Sequence, residues 1–220
     1  TCTICKIMES VIKEQLLNYL LHKQLINKKQ HAFINKHSTA TNLLECTHDW
    51  VVSMSKNMCV DVIYVDFSRA FDSIVFSKAI AKIASLGIDG KLLQWISAFL
   101  HNRQQRVVIE NCFSCVMDVI SGVPQGSVLG PILFLMFIND IESVCCGSTN
   151  YQLFADDLKL YSTVEVDGGS QSLQQSIDNL VAWADRWQLG INISKCAVLN
   201  VGPKRKKNCV ARIILLIMYK

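Results

Sequence analysis

Three aspartates stand where their neighbours are apolar. Asp66 closes the run VDVIYVDF, and the pair Asp156–Asp157 lies between the stretches YQLFA and LKLYS. In a regular strand successive side chains face opposite ways, so the pair can share one ligand only where the chain turns. A hairpin with its tip at the pair would provide that turn. Asp is common in turns, yet Asp-Asp is a poor two-residue hairpin turn beside Asn-Gly or Asp-Gly, so a turn and a site are equally good readings of the pair alone. Asp66 has its own bland alternative, since it or Ser68 could cap a following helix. Brought together, three carboxylates repel one another, raise one another's pKa and suit a hard cation. Mg²⁺ takes one or two carboxylates together with water and phosphate oxygens. Two such ions about 3.5–4 Å apart activate an attacking hydroxyl and stabilise a leaving oxygen. The chemistry these acids would serve is phosphoryl transfer.

A second constellation is the loop SGVPQGSVLGP. Its glycines and proline let backbone approach a ligand closely. Gln125 offers both donor and acceptor, and Ser127 could cap the next helix, whose N-terminus favours an anion. Read alone, the loop is better taken as a plain joint between two elements.

These groups need a frame. The chain has 220 residues, half of them apolar and 18% charged, with a net charge of +4. That is enough for one large folded domain, and the charge permits an anionic partner without demanding one. The ten cysteines include two Cys-x-x-Cys pairs, Cys2/Cys5 and Cys112/Cys115, far apart and without the compact second half of a zinc site. Read as reduced thiols in a chain that opens with no secretory leader, they predict an intracellular location. The apolar runs GPILFLMFI and IILLIM are shorter than the ~20 residues that span a bilayer, which predicts a soluble protein with no membrane partner.

Helical periodicity predicts a helix over residues 4–26, with Ile4, Ile7, Met8, Val11, Ile12, Leu16, Leu20 and Leu21 as its apolar positions. A second helix begins near Ser38, with Ser38 or Thr39 as its cap. The run VDVIYVDF reads as a strand covered on both faces. Helices follow over about 77–86 and 90–100, then an antiparallel pair, QRVVIE and CVMDVI, with NCFS between them. An apolar helix over about 128–144 precedes the two strands that meet at the acid pair. A helix over about 170–189 and the strand CAVLNVG complete the pattern. With the first hairpin set aside, the order is β-α-α-ββ-α-β, an α+β fold close to a split βαβ sheet with helices on one face.

Taken together, YVDFSRAFDSI, SGVPQGSVLGPILFLMFINDI and FADDLKLYS resemble motifs A, B and C of reverse transcriptases, those of non-LTR, LINE-type retrotransposons of the jockey kind above all. The segment 77–109 resembles the stretch between A and B, and DNLVAWADRWQLGINISKCAVLNVG resembles motif D. QHAFINKHSTATNLLE is similar to the fingers segment before motif A. The resemblance implies a right-hand polymerase fold, with partial fingers over 1–58, a palm over 59–202 carrying a fingers insertion at about 88–121, and a divergent tail over 203–220. The implied activity is RNA-directed DNA synthesis by two-metal nucleotidyl transfer, using two Mg²⁺ (Mn²⁺ as a substitute), an RNA template, a DNA primer and dNTPs.

By the same resemblance Asp66, Asp156 and Asp157 would hold the metals, with Phe67 lending its backbone carbonyl, and Lys195 would protonate the leaving pyrophosphate. Phe71 would be the steric gate against a 2′-hydroxyl, beside Ala70, while Pro124, Gln125 and Gly126 would border the incoming nucleotide. Asp72 would hold the turn after motif A. Arg69, Arg103 and Arg106 are weaker candidates for phosphate contacts, and the basic run Pro203–Lys207 for a nucleic-acid patch or nuclear signal. His31, His37 and His48 form no ligand pattern. Beyond Gly202 the likeness ends. A thumb and an endonuclease are expected in a longer parent element, which would act in the nucleus. A non-catalytic remnant that folds or binds nucleic acid without synthesis is the competing expectation.

Overall fold

The computed structural model describes residues 2–166 and 169–203. The tail expected over 203–220, with most of the basic run Pro203–Lys207, lies outside the described residues. In chain order the elements begin with helices α1 (Thr3–His22) and α2 (Thr39–Ser55), strand β1 (Cys59–Val65), and helices α3 (Ala70–Ser73), α4 (Phe76–Ser85) and α5 (Gly90–Leu100). Four two-residue strands follow: β2 (Gln104–Gln105), β3 (Val108–Ile109), β4 (Cys112–Phe113) and β5 (Met117–Asp118). Helix α6 (Gly130–Ile138) runs into a 3-10 segment (Asn139–Val144), then come strands β6 (Asn150–Phe154) and β7 (Asp157–Val164). Helix α7 (Gln171–Trp187), a 3-10 turn (Ile193–Lys195) and strand β8 (Ala197–Val201) complete the described chain. Contacts divide it into a sheet unit, from residues 27–68 and those after 138, and a helical unit, from residues up to 26 and 69–138.

The sheet unit is a four-stranded antiparallel sheet in the order β6-β7-β1-β8. Counted among its own strands that is 2-3-1-4, the order of the expected split βαβ sheet. One face carries Val60, Val62 and Tyr161 against Cys46 and Trp50 of α2. Side chains of the opposite parity turn the other way, and there Phe67 meets Trp183 of α7, with ring centroids 6.3 Å apart. Two covering helices explain why β1 is almost wholly apolar. The charge inside that strand, Asp61, is 2% exposed and accepts a hydrogen bond from Asn200 at 2.6 Å. Helix α2 starts where its cap predicts: Ser38 Oγ accepts from the Thr41 amide, and Thr41 Oγ1 accepts from the Ser38 amide.

In the helical unit α4 packs against α5 and α6. Residues Ile132–Ile138 of α6 are all buried, as expected of a helix apolar on every side. Lys82 is buried too, its ammonium donating to the Phe137 carbonyl at 2.7 Å and lying over that ring. Among the described residues no helix is long and apolar enough to cross a membrane.

Three elements differ from their sequence expectation. Helix α1 ends at His22, and its buried positions are Glu9, Leu16 and Leu20, while Ile4, Ile7, Met8 and Val11 are exposed. At helical spacing these two sets lie on opposite faces. The sequence offers two apolar stripes, and the one containing a charge is covered because Glu9 Oε2 accepts from the amides of Val128 (2.7 Å) and Leu129 (3.1 Å). The helix expected over 128–144 is α-helical only to Ile138 and then tightens to 3-10. The first hairpin turns at Glu110–Asn111, earlier than expected, with Glu110 at φ 51°. Its ladder survives only as the pairs β2–β5 and β3–β4, because Val107, Val108, Ile109, Phe113, Val116 and Met117 are all exposed and lack an apolar face to lock the register.

Candidate active site

The acid centre lies in the sheet unit, and strand register builds it. Val65 of β1 pairs with Leu158 of β7, so Asp66 and Asp157 come next in line on adjacent strands. The β6–β7 hairpin closes through Phe154↔Asp157, which leaves Ala155 and Asp156 as its two-residue turn. The acids were expected to share the tip; instead Asp156 occupies the turn and Asp157 opens β7. The reason is that Ala155, at φ 54°, takes the first turn position, where the positive φ suits the twist of a two-residue hairpin.

The carboxyl of Asp156 is pushed up from the ordinary aspartate value, chiefly by burial, with the charges of Asp157 and Asp66 adding to it. The charges of Asp66 and Asp157 therefore both reach Asp156. Asp66 Oδ2 is shielded from solvent and receives no hydrogen bond. Its nearest cation is the Lys195 ammonium at 3.7 Å, an ion-pair distance too long for a hydrogen bond.

What brings Lys195 there is a short backbone ladder beyond the end of β1. The Asn192 amide donates to the Asp66 carbonyl at 2.8 Å, and the Ser68 amide donates to the Gly190 carbonyl at 2.7 Å. The bridge is antiparallel, Phe67 opposite Ile191, and those two bonds bracket Phe67. The Phe67 carbonyl is thereby turned away from residues 190–192. The 3-10 turn ending at Lys195 follows directly. Asp66, Asp157, Lys159 and Lys195 then line one cavity of about 430 Å³. Lys159 is held there by Asn42, to whose Oδ1 it donates at 2.6 Å.

Among the described residues no three His, Cys, Asp or Glu side chains stand together closely enough to hold a metal ion among them. The donor set is all oxygen, one of those oxygens lacks any donor, and one carboxyl is poised to be stabilised in its charged form by a cation. Such a set fits Mg²⁺, which takes one or two carboxylates and completes its shell with water and phosphate.

The second constellation lies in the helical unit. Phe71, Val123, Pro124, Gln125, Gly126 and Ser127 line a cavity of about 360 Å³. The loop is laid along α3 by backbone bonds, Gly122 N–H to the Ile74 carbonyl (2.8 Å) and Val123 N–H to the Phe71 carbonyl (2.9 Å). Gly122 is required there: at φ 86°, a Cβ would stand 2.6 Å from the Asp72 Cα. Asp72 ties α3 to this loop, accepting from Gln125 Nε2 at 2.7 Å while its carbonyl accepts from Ser121 Oγ at 2.8 Å. Ser127 Oγ accepts from the Gly130 amide at 2.9 Å and so caps α6. Phe71 stacks on Phe134 with centroids 4.2 Å apart.

Ala70 is buried at the start of α3 rather than exposed to that cavity. The three weaker arginines do not form one patch. Arg69 is exposed at φ 47° before α3, Arg106 lies over the Phe113 ring, and Arg103 lines a separate cavity of about 570 Å³ with one guanidinium nitrogen unpartnered.

Residues 1–210 match the family described as reverse transcriptase (RNA-dependent DNA polymerase). The chain belongs to the reverse transcriptase family. It is 30% identical over 200 residues to the RNA-directed DNA polymerase from mobile element jockey of Drosophila funebris. It is 26% identical over 203 residues to the probable RNA-directed DNA polymerase from transposon BS of Drosophila melanogaster. These alignments cover 87% and 88% of the chain but only 22% of each relative, so the chain spans about a fifth of their length. Among solved structures it is similar to apo telomerase from Candida tropicalis, truncated from the C-terminal domain, with a TM-score of 0.66 at 13% identity. That match covers 92% of this chain and 42% of the telomerase, and it establishes the polymerase palm-and-fingers fold of the reverse transcriptase family.

Sequence reasoning missed the residues that support the site. Gln30, Asn42 and Asn192 bond to the acid hairpin or to Asp66, and Glu9 bonds to the loop before α6. Glu9 had a signal, a charge three and four residues from apolar neighbours on a helix. Gln30 had none, since the stretch around it has no period.

Proposed function

We propose that this chain carries the nucleotidyl-transfer centre of an RNA-directed DNA polymerase. In this reading residues 59–202 serve as palm, and residues 1–58 with 88–121 as fingers. The primer 3′-hydroxyl oxygen bonds to the dNTP α-phosphorus, the bond to the bridging oxygen breaks, and pyrophosphate leaves. Two Mg²⁺ ions, or Mn²⁺, would lower the pKa of the attacking hydroxyl and neutralise charge on the phosphates. Asp66 and Asp156 would hold them, with Asp157 and the Phe67 carbonyl beside them. Lys195, whose ammonium stands 3.7 Å from Asp66 Oδ2, would deliver a proton to the pyrophosphate oxygen as it gains charge. Phe71 closes the nucleotide site to a 2′-hydroxyl, and Pro124, Gln125 and Gly126 border the base and sugar. RNA template, DNA primer and dNTPs are the partners.

The observation that carries this reading is the placement of Asp66, directly after β1, beside Asp157 at the start of the paired strand β7, with Asp156 in the β6–β7 turn and its pKa raised chiefly by burial and further by both neighbours. The test is primer extension on an RNA template, with this chain and with a jockey polymerase carrying this chain in place of its matching segment. Asp156→Asn is expected to lower extension about 10³-fold or more, the scale of losing several kcal/mol of charge stabilisation. Extension by Asp156→Asn at the parent rate would sink the proposal.

A further inference from the structure

The turn that carries Asp156 needs an outside restraint. Ala155 sits at φ 54°, a conformation that a residue with a Cβ adopts rarely and only where its surroundings impose it. It is also 7% exposed, so its amide and carbonyl have little access to water. Both groups end on one side chain. Gln30 Oε1 accepts from the Ala155 amide at 2.9 Å, and Gln30 Nε2 donates to the Ala155 carbonyl at 3.4 Å.

Gln30 is itself fixed. It is 3% exposed, and its Oε1 also accepts from the Ala32 amide at 2.9 Å. Its own segment is bridged to β6 by the His31 amide to the Leu153 carbonyl and the Leu153 amide to the Lys29 carbonyl, both 3.0 Å. The residue type matches the task. A primary amide presents an acceptor and a donor together; glutamate keeps only the acceptor, and alanine keeps neither.

We infer that Gln30 is a positioning residue for the acid turn. It clamps Ala155 in its positive-φ state and thereby sets where the carboxylates of Asp156 and Asp157 stand toward a divalent cation. The inference rests on the metal reading of the acid centre proposed above. Groups that orient ligands from outside the coordination shell contribute strongly to affinity.

The test uses the full chain with Gln30→Ala, the near-isosteric Gln30→Glu, and Asp156→Asn as reference. Two quantities are read: amide hydrogen exchange across residues 154–158, and Mn²⁺ affinity by electron paramagnetic resonance. Gln30→Ala is expected to speed exchange at Ala155–Asp157 and to weaken Mn²⁺ binding about tenfold, with Gln30→Glu between it and the parent. Adding Ala155→Gly to Gln30→Ala should recover part of the affinity, because glycine holds a positive φ without a clamp. A purely packing role for Gln30 predicts no such rescue. Parent-like exchange and Mn²⁺ affinity in Gln30→Ala, even with a lowered melting temperature, would overturn the inference. Faster exchange in Gln30→Ala alongside parent-like Mn²⁺ binding in Asp156→Asn would leave the clamp standing and remove the metal reading instead.

Discussion

Asp157 opens β7 and Asp66 directly follows the paired strand β1, so hydrogen-bond register sets their separation, whereas Phe71 and Gln125 stand on a four-residue helix and a loop. The sheet unit buries an acid beside two others, and the pKa of Asp156 is raised chiefly by that burial and further by the charges of Asp157 and Asp66. The helical unit holds no such charge cluster at its cavity. It depends on backbone laid against backbone, closely enough that Gly122 admits no Cβ. Register tolerates changes of side chain, while close backbone approach does not. The acid centre should therefore fail through chemistry, and the loop cavity through geometry.

The largest effect that sharpens this contrast is at the loop glycines. Gly122→Ala meets both a positive φ and a 2.6 Å clash with Asp72 backbone, whereas Gly126→Ala meets a positive φ alone, with nothing within 4 Å. Urea unfolding should show a loss of about 2–4 kcal/mol for the first and about 1 kcal/mol for the second. Equal losses would mean that the close approach of the loop to Asp72 does not govern this unit.

Next in size is Phe71→Ala. Removing a ring that lines the loop cavity should reduce discrimination between dNTPs and rNTPs by roughly tenfold or more, with little change in dNTP incorporation. Single-nucleotide incorporation with matched dNTP and rNTP pairs measures it. A uniform fall for both sugars would instead place Phe71, through its stack on Phe134, among the packing residues.

The smallest effect belongs to the sheet unit. His31 is 1% exposed, and burial holds its pKa below the ordinary 6.5 against the opposing pull of Glu45. Its Nδ1 lies 2.8 Å from Thr41 Oγ1, while Nε2 is 3.5 Å from Glu45 and not hydrogen-bonded. Because the folded pKa is the lower one, the unfolded chain takes up the proton first as pH falls. Stability is complete above about 6.5 and declines below it, by at most about 1.4 kcal/mol per pH unit for one proton. Melting curves between pH 7.5 and 5.5 should show His31→Gln losing less than the parent, by a few degrees. Parallel curves for the two would remove His31 from the account.

Much of the fold was legible because its signals are local. Ser38 marked the start of α2, the run VDVIYVDF marked a doubly covered strand, and the order of elements indicated the split sheet. The acids and the loop were legible as motifs. The covered face of α1 was not, since Ile4, Ile7, Met8 and Val11 make as good a stripe as the buried one. Asp61, the other acid of the run VDVIYVDF, takes a different part. Asp61 faces inward to Asn200, and Asp66 lies past the last sheet pairing.

Residue type and spacing determined that this chain has three acids, a glycine-rich loop and the strands and helices to carry them, because helix and strand periods and caps act over a few neighbours. Tertiary structure alone decided which carboxylate is crowded, why Lys195 faces Asp66, and that Gln30 secures Ala155. Those outcomes depend on contacts between segments distant in the chain, and a sequence carries no local record of which distant donor will meet which acceptor.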